Sequence, residues 1–308
     1  MTGEEKSGAT APSGEQALVD YGRAKVNLTL RVVGRRVDGY HDLESVVAFA
    51  DCADRLILTP GRELSLEATG PMADACGDPA DNLVLKAARL LAARVPELKL
   101  GAFVLEKALP VAAGIGGGSA DAAAALRLLA RLNLLAASDA RLAEVALQTG
   151  ADVPVCLAST ACDMTGVGEG LFPLKVPKLP CVLVNPGVPV ATSEVFAALG
   201  LRHGELLAGA GDVIESASWP GDGSSIADWI EALADVGNDL EAPARRVQPV
   251  IDEVLLALGR ADGARIARMS GSGATSFALF EIAAEAQAAA AKISADHPHW
   301  WVHAGDVS

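Results

Sequence analysis

Apolar and polar positions along this chain alternate with two periods, and the switches between them mark out its elements. Period-two stretches predict strands at residues 18–21, 25–33, 45–50, 55–59 and 98–105. In the second, Val26, Leu28 and Leu30 alternate with Lys25, Asn27, Thr29 and Arg31. Lys25 and Asn27 therefore share one face of a strand, with aliphatic side chains on the other. Helical stretches are predicted from Asn82 to about Arg94, capped by Asp81, then from Ser119 to near Asn133, and at 140–148, where Gly150 stops the run. Residues 153–157 read as a short strand, with Asp152 at the junction before it. The glycine cluster Gly166-Val167-Gly168-Glu169-Gly170 marks a hairpin or a domain boundary.

The second half runs strand 181–185, helices 191–199, 226–235 and 243–258, strands 265–269 and 275–280, helix 282–293 and strand 300–303. That order resembles a split βαβ layout. Residues 203–225 are rich in Gly and Ser and predict a mobile loop, for which a lid is one use.

Between the strand at 98–105 and the alanine-rich helix stands Pro110-Val111-Ala112-Ala113-Gly114-Ile115-Gly116-Gly117-Gly118-Ser119-Ala120. Ser119 suits a helix N-cap, and the alanines after it are the best helix formers. Strand, glycine loop and helix start together suit an anion. The first N–H groups of a helix lack internal partners, the helix dipole adds positive charge, and glycines let a phosphate approach the backbone. A flexible connecting loop is the plain alternative. No Lys-Ser or Lys-Thr pair follows the last glycine, so this is not a P-loop, and Ser119 stands where the dinucleotide fingerprint needs its last glycine.

The chain has 308 residues, enough for one large or two ordinary domains, and 51% of them are apolar. A net charge of -14 argues against nucleic acid and against acidic membrane surfaces. No apolar run reaches the length of a membrane span. Residues 1–16 are polar and read as a disordered tail, without the apolar centre of a signal peptide. The five cysteines form no C-x-x-C pair and read as reduced core thiols of a cytoplasmic protein.

Few residues offer chemistry. Asp152 lies in an apolar segment, where a carboxylate is rare unless paired or functional. It can orient an incoming hydroxyl and take its proton; the alternative is a local turn at a helix end. Lys25 either lines a site or is one solvated charge, and Asn27 on the same face favours the site. Tyr40 and His41 set a phenol ring and an imidazole side by side, able to stack on and hydrogen-bond a base. No H-E-x-x-H, cysteine cluster or calcium loop is present, so no protein-built metal site is visible. Acyl transfer lacks its G-x-S-x-G element.

Three stretches together resemble the GHMP kinase superfamily: Ala24-Lys25-Val26-Asn27-Leu28, residues 110–122, and Met269-Ser270-Gly271-Ser272-Gly273-Ala274-Thr275. Arg35-Arg36-Val37-Asp38-Gly39-Tyr40-His41-Asp42-Leu43, Asp81-Asn82-Leu83-Val84 and Gly150-Ala151-Asp152-Val153-Pro154 narrow the match to the branch that phosphorylates a diphosphocytidyl sugar alcohol of the non-mevalonate isoprenoid route. Ala112-Ala113 stands where some members carry a glycine pair.

The resemblance implies a two-domain α+β fold: an N-terminal ribosomal-protein-like ATP domain at 17–170, and a C-terminal ferredoxin-like split βαβ domain at 171–308 that completes the substrate site. It implies ATP as phosphoryl donor, with Mg²⁺ carried by the nucleotide. Asp152 is then the base on the 2-hydroxyl of 4-diphosphocytidyl-2-C-methyl-D-erythritol, with Lys25 beside it. Residues 110–120 bind ATP, Gly114 to Ser119 wrapping the phosphates, and Asn82 and Lys107 lie near adenine and ribose. Tyr40 and Phe196 sandwich the cytosine, His41 reads its polar edge, and Asn27 and Thr192 position the acceptor. No side chain is assigned to the metal; Ser119 and Asp121 are candidates. The resemblance implies a small-molecule substrate, no nucleic acid, no membrane, and a monomer or weak homodimer. Two other readings stay open: another small-molecule kinase of the superfamily, of homoserine or mevalonate type, and a catalytically silent member serving as a sensor.

Overall fold

The computed structural model of the protein describes residues 16–207 and 219–308. The polar tail up to residue 15 and residues 208–218 of the expected loop lie outside them.

The first half builds a sheet around one long strand. In chain order it comprises β1 (Leu18–Asn27), β2 (Arg31–Arg35), β3 (His41–Pro60), β4 (Ser65–Thr69), α1 (Leu83–Ala92), β5 (Gly101–Glu106), α2 (Gly117–Leu132), α3 (Ala140–Thr149), α4 (Val153–Ala158), β6 (Cys162–Gly166) and β7 (Gly170–Pro173). β3 pairs antiparallel with β1, β2, β5 and β6. The separate strands expected at 45–50 and 55–59 are thus one. The polar residues between them stay extended because β1 keeps pairing there, Gly22 opposite Asp54 and Arg23 opposite Ala53. The register then slips, so that Lys25 faces Phe49. That slip ends the simple alternation along β1 and buries Lys25 and Asn27 with their aliphatic neighbours. β7 hydrogen-bonds to β6 through Pro173, carrying the first sheet past residue 170.

The second half comprises β8 (Leu179–Asn185), α5 (Thr192–Leu199), α6 (Ile226–Ala234), α7 (Glu241–Val247), α8 (Val250–Gly259), β9 (Ile266–Met269), β10 (Ser276–Leu279), α9 (Ala283–Asp296) and β11 (Trp301–Val307). Its strands run in the order β11-β8-β10-β9, all antiparallel. Taken in chain order this is 4-1-3-2, the ferredoxin-like split βαβ arrangement. The one helix expected at 243–258 is two, because Pro249 keeps Gln248 out of the helical region.

The two halves form the two-domain α+β fold and share a core. Val307 of β11 pairs with Ala50 of β3, and Val26, Leu28, Ile115, Leu183, Trp229 and Phe277 pack in one apolar cluster. Burial of this size is the dominant favourable term in folding. It fixes the end of β1 and the glycine loop against the second half. Among the described residues no helix is long and apolar enough to cross a membrane.

Candidate active site

The glycine loop enters α2 three residues earlier than a serine cap requires. Gly116, in the left-handed region at φ 63°, is the N-cap, and the first intrahelical bond runs from the Ala120 N–H to the Gly116 carbonyl at 2.8 Å. The N–H groups of Gly117, Gly118 and Ser119 precede that bond and lie at the positive end of a 16-residue helix. Ser119 is therefore a first-turn residue, not the cap. Glycine at 114 and 116 is required by contact. A Cβ at Gly114 would lie 2.5 Å from the Ser270 carbonyl, and one at Gly116 would lie 3.2 Å from Lys25 Cε. Ile115 and Ala120 turn into the core, so the loop serves through its backbone.

The segment after β9 brackets the loop. The Ser270 hydroxyl donates to the Gly114 carbonyl at 3.0 Å and accepts the Asn27 N–H at 3.1 Å, while the Thr275 N–H donates to the Ala113 carbonyl at 3.0 Å. Asn238 ties this segment down from β9's other side, donating to the Met269 and Gly271 carbonyls at 2.7 and 2.9 Å.

Asp152 is the N-cap of α4, a helix and not the expected strand. A six-residue apolar run has no readable period, and Pro154 fits the first turn of a helix, where its missing N–H costs nothing. Asp152 makes no capping hydrogen bond with its side chain, which is 37% exposed. Its Oδ2 lies 3.1 Å from the ammonium of Lys25, whose side chain is only 4% exposed. Lys25 also donates to Asn27 Oδ1 at 2.8 Å, and its own N–H donates to the Ile115 carbonyl at 2.9 Å.

These elements enclose a pocket of about 570 Å³. Of the residues singled out from sequence, Lys25, Asn27, Ala112, Ala113, Gly114, Gly116, Gly117, Gly118, Ser119, Asp152, Thr192 and Phe196 line it. Gly271 and Ser272 line it too, and Ser272 shares a 2.9 Å hydrogen bond with Thr192. Sequence reasoning gave those two no role; their only signal was the third glycine-serine stretch.

Other candidates go elsewhere. Asn82 caps α1, accepting the Val84 N–H at 2.9 Å, and the adjacent Leu83 reaches the pocket. Pro110 and Val111 lead into the loop without lining the pocket. Lys107 does not line the pocket. It is buried beneath the loop, 2.5 Å from Asp54 Oδ2 and 2.6 Å from Asp121 Oδ2. Burial alone would lower its pKa, but the two carboxylates outweigh burial and raise it. Asp121, a metal candidate from sequence, is turned inward with them. Its carboxyl is raised to about 7, by burial first; Lys107 opposes the rise and Asp54 adds to it.

The ring pair also differs from expectation. Tyr40 is 62% exposed, whereas His41 stacks on Phe196 with ring centroids 4.3 Å apart and planes 23° from parallel. Burial, with Arg35 and His203 nearby, lowers the His41 pKa, so the ring is neutral at pH 7. Its Nε2 is buried and has no partner among the described residues.

The chain matches the family described as GHMP kinases N terminal domain over residues 82–160, and GHMP kinases C terminal over residues 213–299. A 4-diphosphocytidyl-2-C-methyl-D-erythritol kinase of Bradyrhizobium diazoefficiens is 71% identical over 292 residues, covering 95% of this chain and 98% of the relative. The chain belongs to the GHMP kinase family, in the branch of the 4-diphosphocytidyl-2-C-methyl-D-erythritol kinases. A kinase of that name from Nitrobacter winogradskyi is 66% identical over 291 residues, covering 94% of both chains. A solved 4-(cytidine 5'-diphospho)-2C-methyl-D-erythritol kinase superposes with a TM-score of 0.70 at 34% identity, over 94% of this chain and 99% of the other. The homoserine kinase of Cytophaga hutchinsonii shares the fold, with a TM-score of 0.67 at 16% identity over 97% of each chain. GHMP kinases use ATP, and the exposed N–H groups at the start of α2 suit its phosphates.

Proposed function

We propose that this kinase transfers the γ-phosphoryl group of ATP to the 2-hydroxyl of 4-diphosphocytidyl-2-C-methyl-D-erythritol. The products are the 2-phosphate and ADP, and the step belongs to the non-mevalonate route to isopentenyl diphosphate. The observation that carries the reading is the meeting of the Lys25–Asp152 pair with the start of α2 in one pocket, with Phe196 on its wall. A phosphoryl transfer needs little covalent chemistry from the protein; positioning and charge neutralisation do most of the work.

In this reading the N–H groups at Gly117 to Ser119 hold the nucleotide phosphates. The half-open Asp152 carboxylate orients the acceptor hydroxyl and takes its proton. The Lys25 ammonium, held within the fold, stabilises negative charge as it builds on the transferring group. Ser272 and Thr192 offer hydroxyls to the acceptor. His41 presents a neutral imidazole whose free nitrogen can read a cytosine edge, while Phe196 supplies the stacking face. Tyr40 has a part only where a bound base reaches the exposed rim.

Mg²⁺ fits as a companion of the nucleotide. Among the described residues no group of three or more His, Cys, Asp or Glu side chains is placed to hold a metal, and Asp121 is spent on Lys107. Ser119 is the hydroxyl at the loop that would meet it. When bound, the ion neutralises phosphate charge. The reading needs a small-molecule acceptor only, with neither nucleic acid nor membrane, in the cytoplasm, as a monomer or weak homodimer. Five unpaired thiols and the net charge of -14 support that setting.

The test is ADP release by purified protein with ATP and Mg²⁺, given diphosphocytidyl-methylerythritol, mevalonate or homoserine separately. Turnover with the first alone is expected. Turnover with another acceptor would keep the phosphate loop and discard the substrate, and ATP binding without turnover on any would mark a silent member.

A further inference from the structure

Four side chains, three of them buried, and one carbonyl form a single line running away from the reaction centre. Asp152 Oδ2 lies 3.1 Å from Lys25 Nζ, which donates to Asn27 Oδ1 at 2.8 Å. Asn27 Nδ2 donates to the Ser45 hydroxyl at 2.7 Å, and that hydroxyl donates to the Thr29 carbonyl at 2.5 Å. Lys25, Asn27, Ser45 and Thr29 are all buried, and Ser45 and Thr29 do not line the pocket, so water does not readily replace a missing partner at that end.

The direction of every hydrogen bond in this line follows from its far end. A carbonyl can only accept, so Ser45 spends its one hydrogen on Thr29. Ser45 then has only lone pairs to offer Asn27. Only the NH₂ end of the Asn27 amide can satisfy them. The oxygen of the same amide must therefore face Lys25, whose ammonium can only donate. A reversed amide would set two donors against each other at Lys25 and two acceptors at Ser45. The Thr29 hydroxyl is engaged elsewhere, accepting the Val46 N–H at 2.9 Å.

We propose that Ser45 is a positioning residue for phosphoryl transfer: it fixes the orientation of the Asn27 amide, which holds the Lys25 ammonium in place beside Asp152. Ser45 lies on β3 and touches no substrate. It acts through Asn27, which sits between Lys25 and Ser45 as a link and not as a free ligand. This inference rests on the kinase reading above.

The test is steady-state kinetics with ATP and diphosphocytidyl-methylerythritol on the full chain, with melting temperature measured beside it. The wild-type assay comes first, and no turnover there would fail the reading, not the inference. Ser45→Ala leaves one end of the Asn27 amide unsatisfied and free to turn. Its kcat should fall roughly ten- to hundredfold, with the KM for ATP within about twofold. Ser45→Cys keeps the packing with a weak acceptor and should fall similarly, which covers an alanine variant that folds poorly. Ser45→Thr keeps the hydroxyl and should restore most of the rate. The deciding comparison is a double-mutant cycle. If Ser45 acts only through Asn27, then Ser45→Ala adds nothing in an Asn27→Ala background. Wild-type kcat in both Ser45→Ala and Ser45→Cys would overturn the inference. So would losses that multiply in the double variant, since a merely structural serine would act independently of Asn27.

Discussion

The phosphate loop has a lysine on each side, and the two lysines live in opposite surroundings. A Cβ added at Gly116 would lie 3.2 Å from Lys25 Cε, and one at the next residue, Gly117, would lie 3.2 Å from the Lys107 ammonium. Each ammonium sits within about 3 Å of carboxylate oxygen. On one side the partner is Asp152, partly open to the cleft. On the other the partners are Asp54 and Asp121, with side chains 0% and 3% exposed. Asp54 spends its second oxygen on the N–H groups of Ala108 and Leu109 at 2.7 and 2.9 Å. The first pair can exchange a proton with a bound hydroxyl. The second group can reach nothing but itself and the loop above it. In the proposed reading, the same two residue types give chemistry where one partner keeps access to the cleft, and architecture where none does.

The comparison breaks most sharply at Asp152. Asp152→Asn keeps the shape and removes the base, so kcat should fall about 10²- to 10⁴-fold while ATP affinity stays near wild type. Wild-type-like turnover would sink the base assignment. Lys107→Met should act on the other side, and through stability. It leaves two buried carboxylates facing each other, an arrangement that costs about 3–5 kcal/mol when one ion of a buried group is removed. Calorimetry would show this as a large fall in melting temperature. A variant that melts with the wild type but has lost ATP affinity would return Lys107 to the nucleotide.

The buried group also has a pH signature. Asp121 titrates near 3.8 when unfolded and at about 7 in the fold, where burial dominates. Between those values the native chain keeps a proton that the unfolded chain has released. Stability therefore falls as pH rises through that window, and this contribution is flat on either side of it. Asp121→Asn removes the titration and leaves the Lys107–Asp54 pair. Its melting temperature relative to wild type should rise steadily from pH 4 to pH 7. A relative stability that is flat from about pH 5 to pH 7 would mean that Asp121 is already ionised throughout that range.

Local pattern was enough for the open side of the loop and not for the closed side. Lys25 and Asn27 interrupt an aliphatic alternation, Asp152 interrupts an apolar segment, and the glycines announce their own loop. Each of these signals is read from a few residues around its own position. The fate of Lys107 depends on Asp54, 53 residues before it, and Asp121, 14 residues after it. Nothing local distinguishes a lysine that will be sealed by two distant acids from one that will meet a nucleotide. Ser45 was hidden for the same reason, as one hydroxyl in an apolar strand whose partners arrive through β1. The helix cap was misplaced because a serine is the usual cap, whereas close contact with Lys25 made Gly116 the residue that turns the chain. In the fold, strand pairing joined two predicted strands into β3, and the ferredoxin-like half was legible from the order of its strands and helices.

The smallest effect belongs to the far wall of the open side, where His41 stacks on Phe196. Their centroid separation of 4.3 Å leaves no room for a base between them, so a cytosine must lie against one face of the pair or part the two rings. A base against the His41 face gains stacking from it, and parting the rings frees for one hydrogen bond the Nε2 that has no partner among the described residues. An aromatic pair contributes about 0.5–1.5 kcal/mol, and a net hydrogen bond a similar amount. His41→Ala should therefore raise the KM for the cytidyl acceptor roughly tenfold, with kcat and ATP affinity nearly unchanged. That split would separate the wall that chooses the acceptor from the Lys25–Asp152 pair that reacts with it. A selective loss of ATP affinity would instead place the nucleotide base against this wall and reverse the two ends of the pocket.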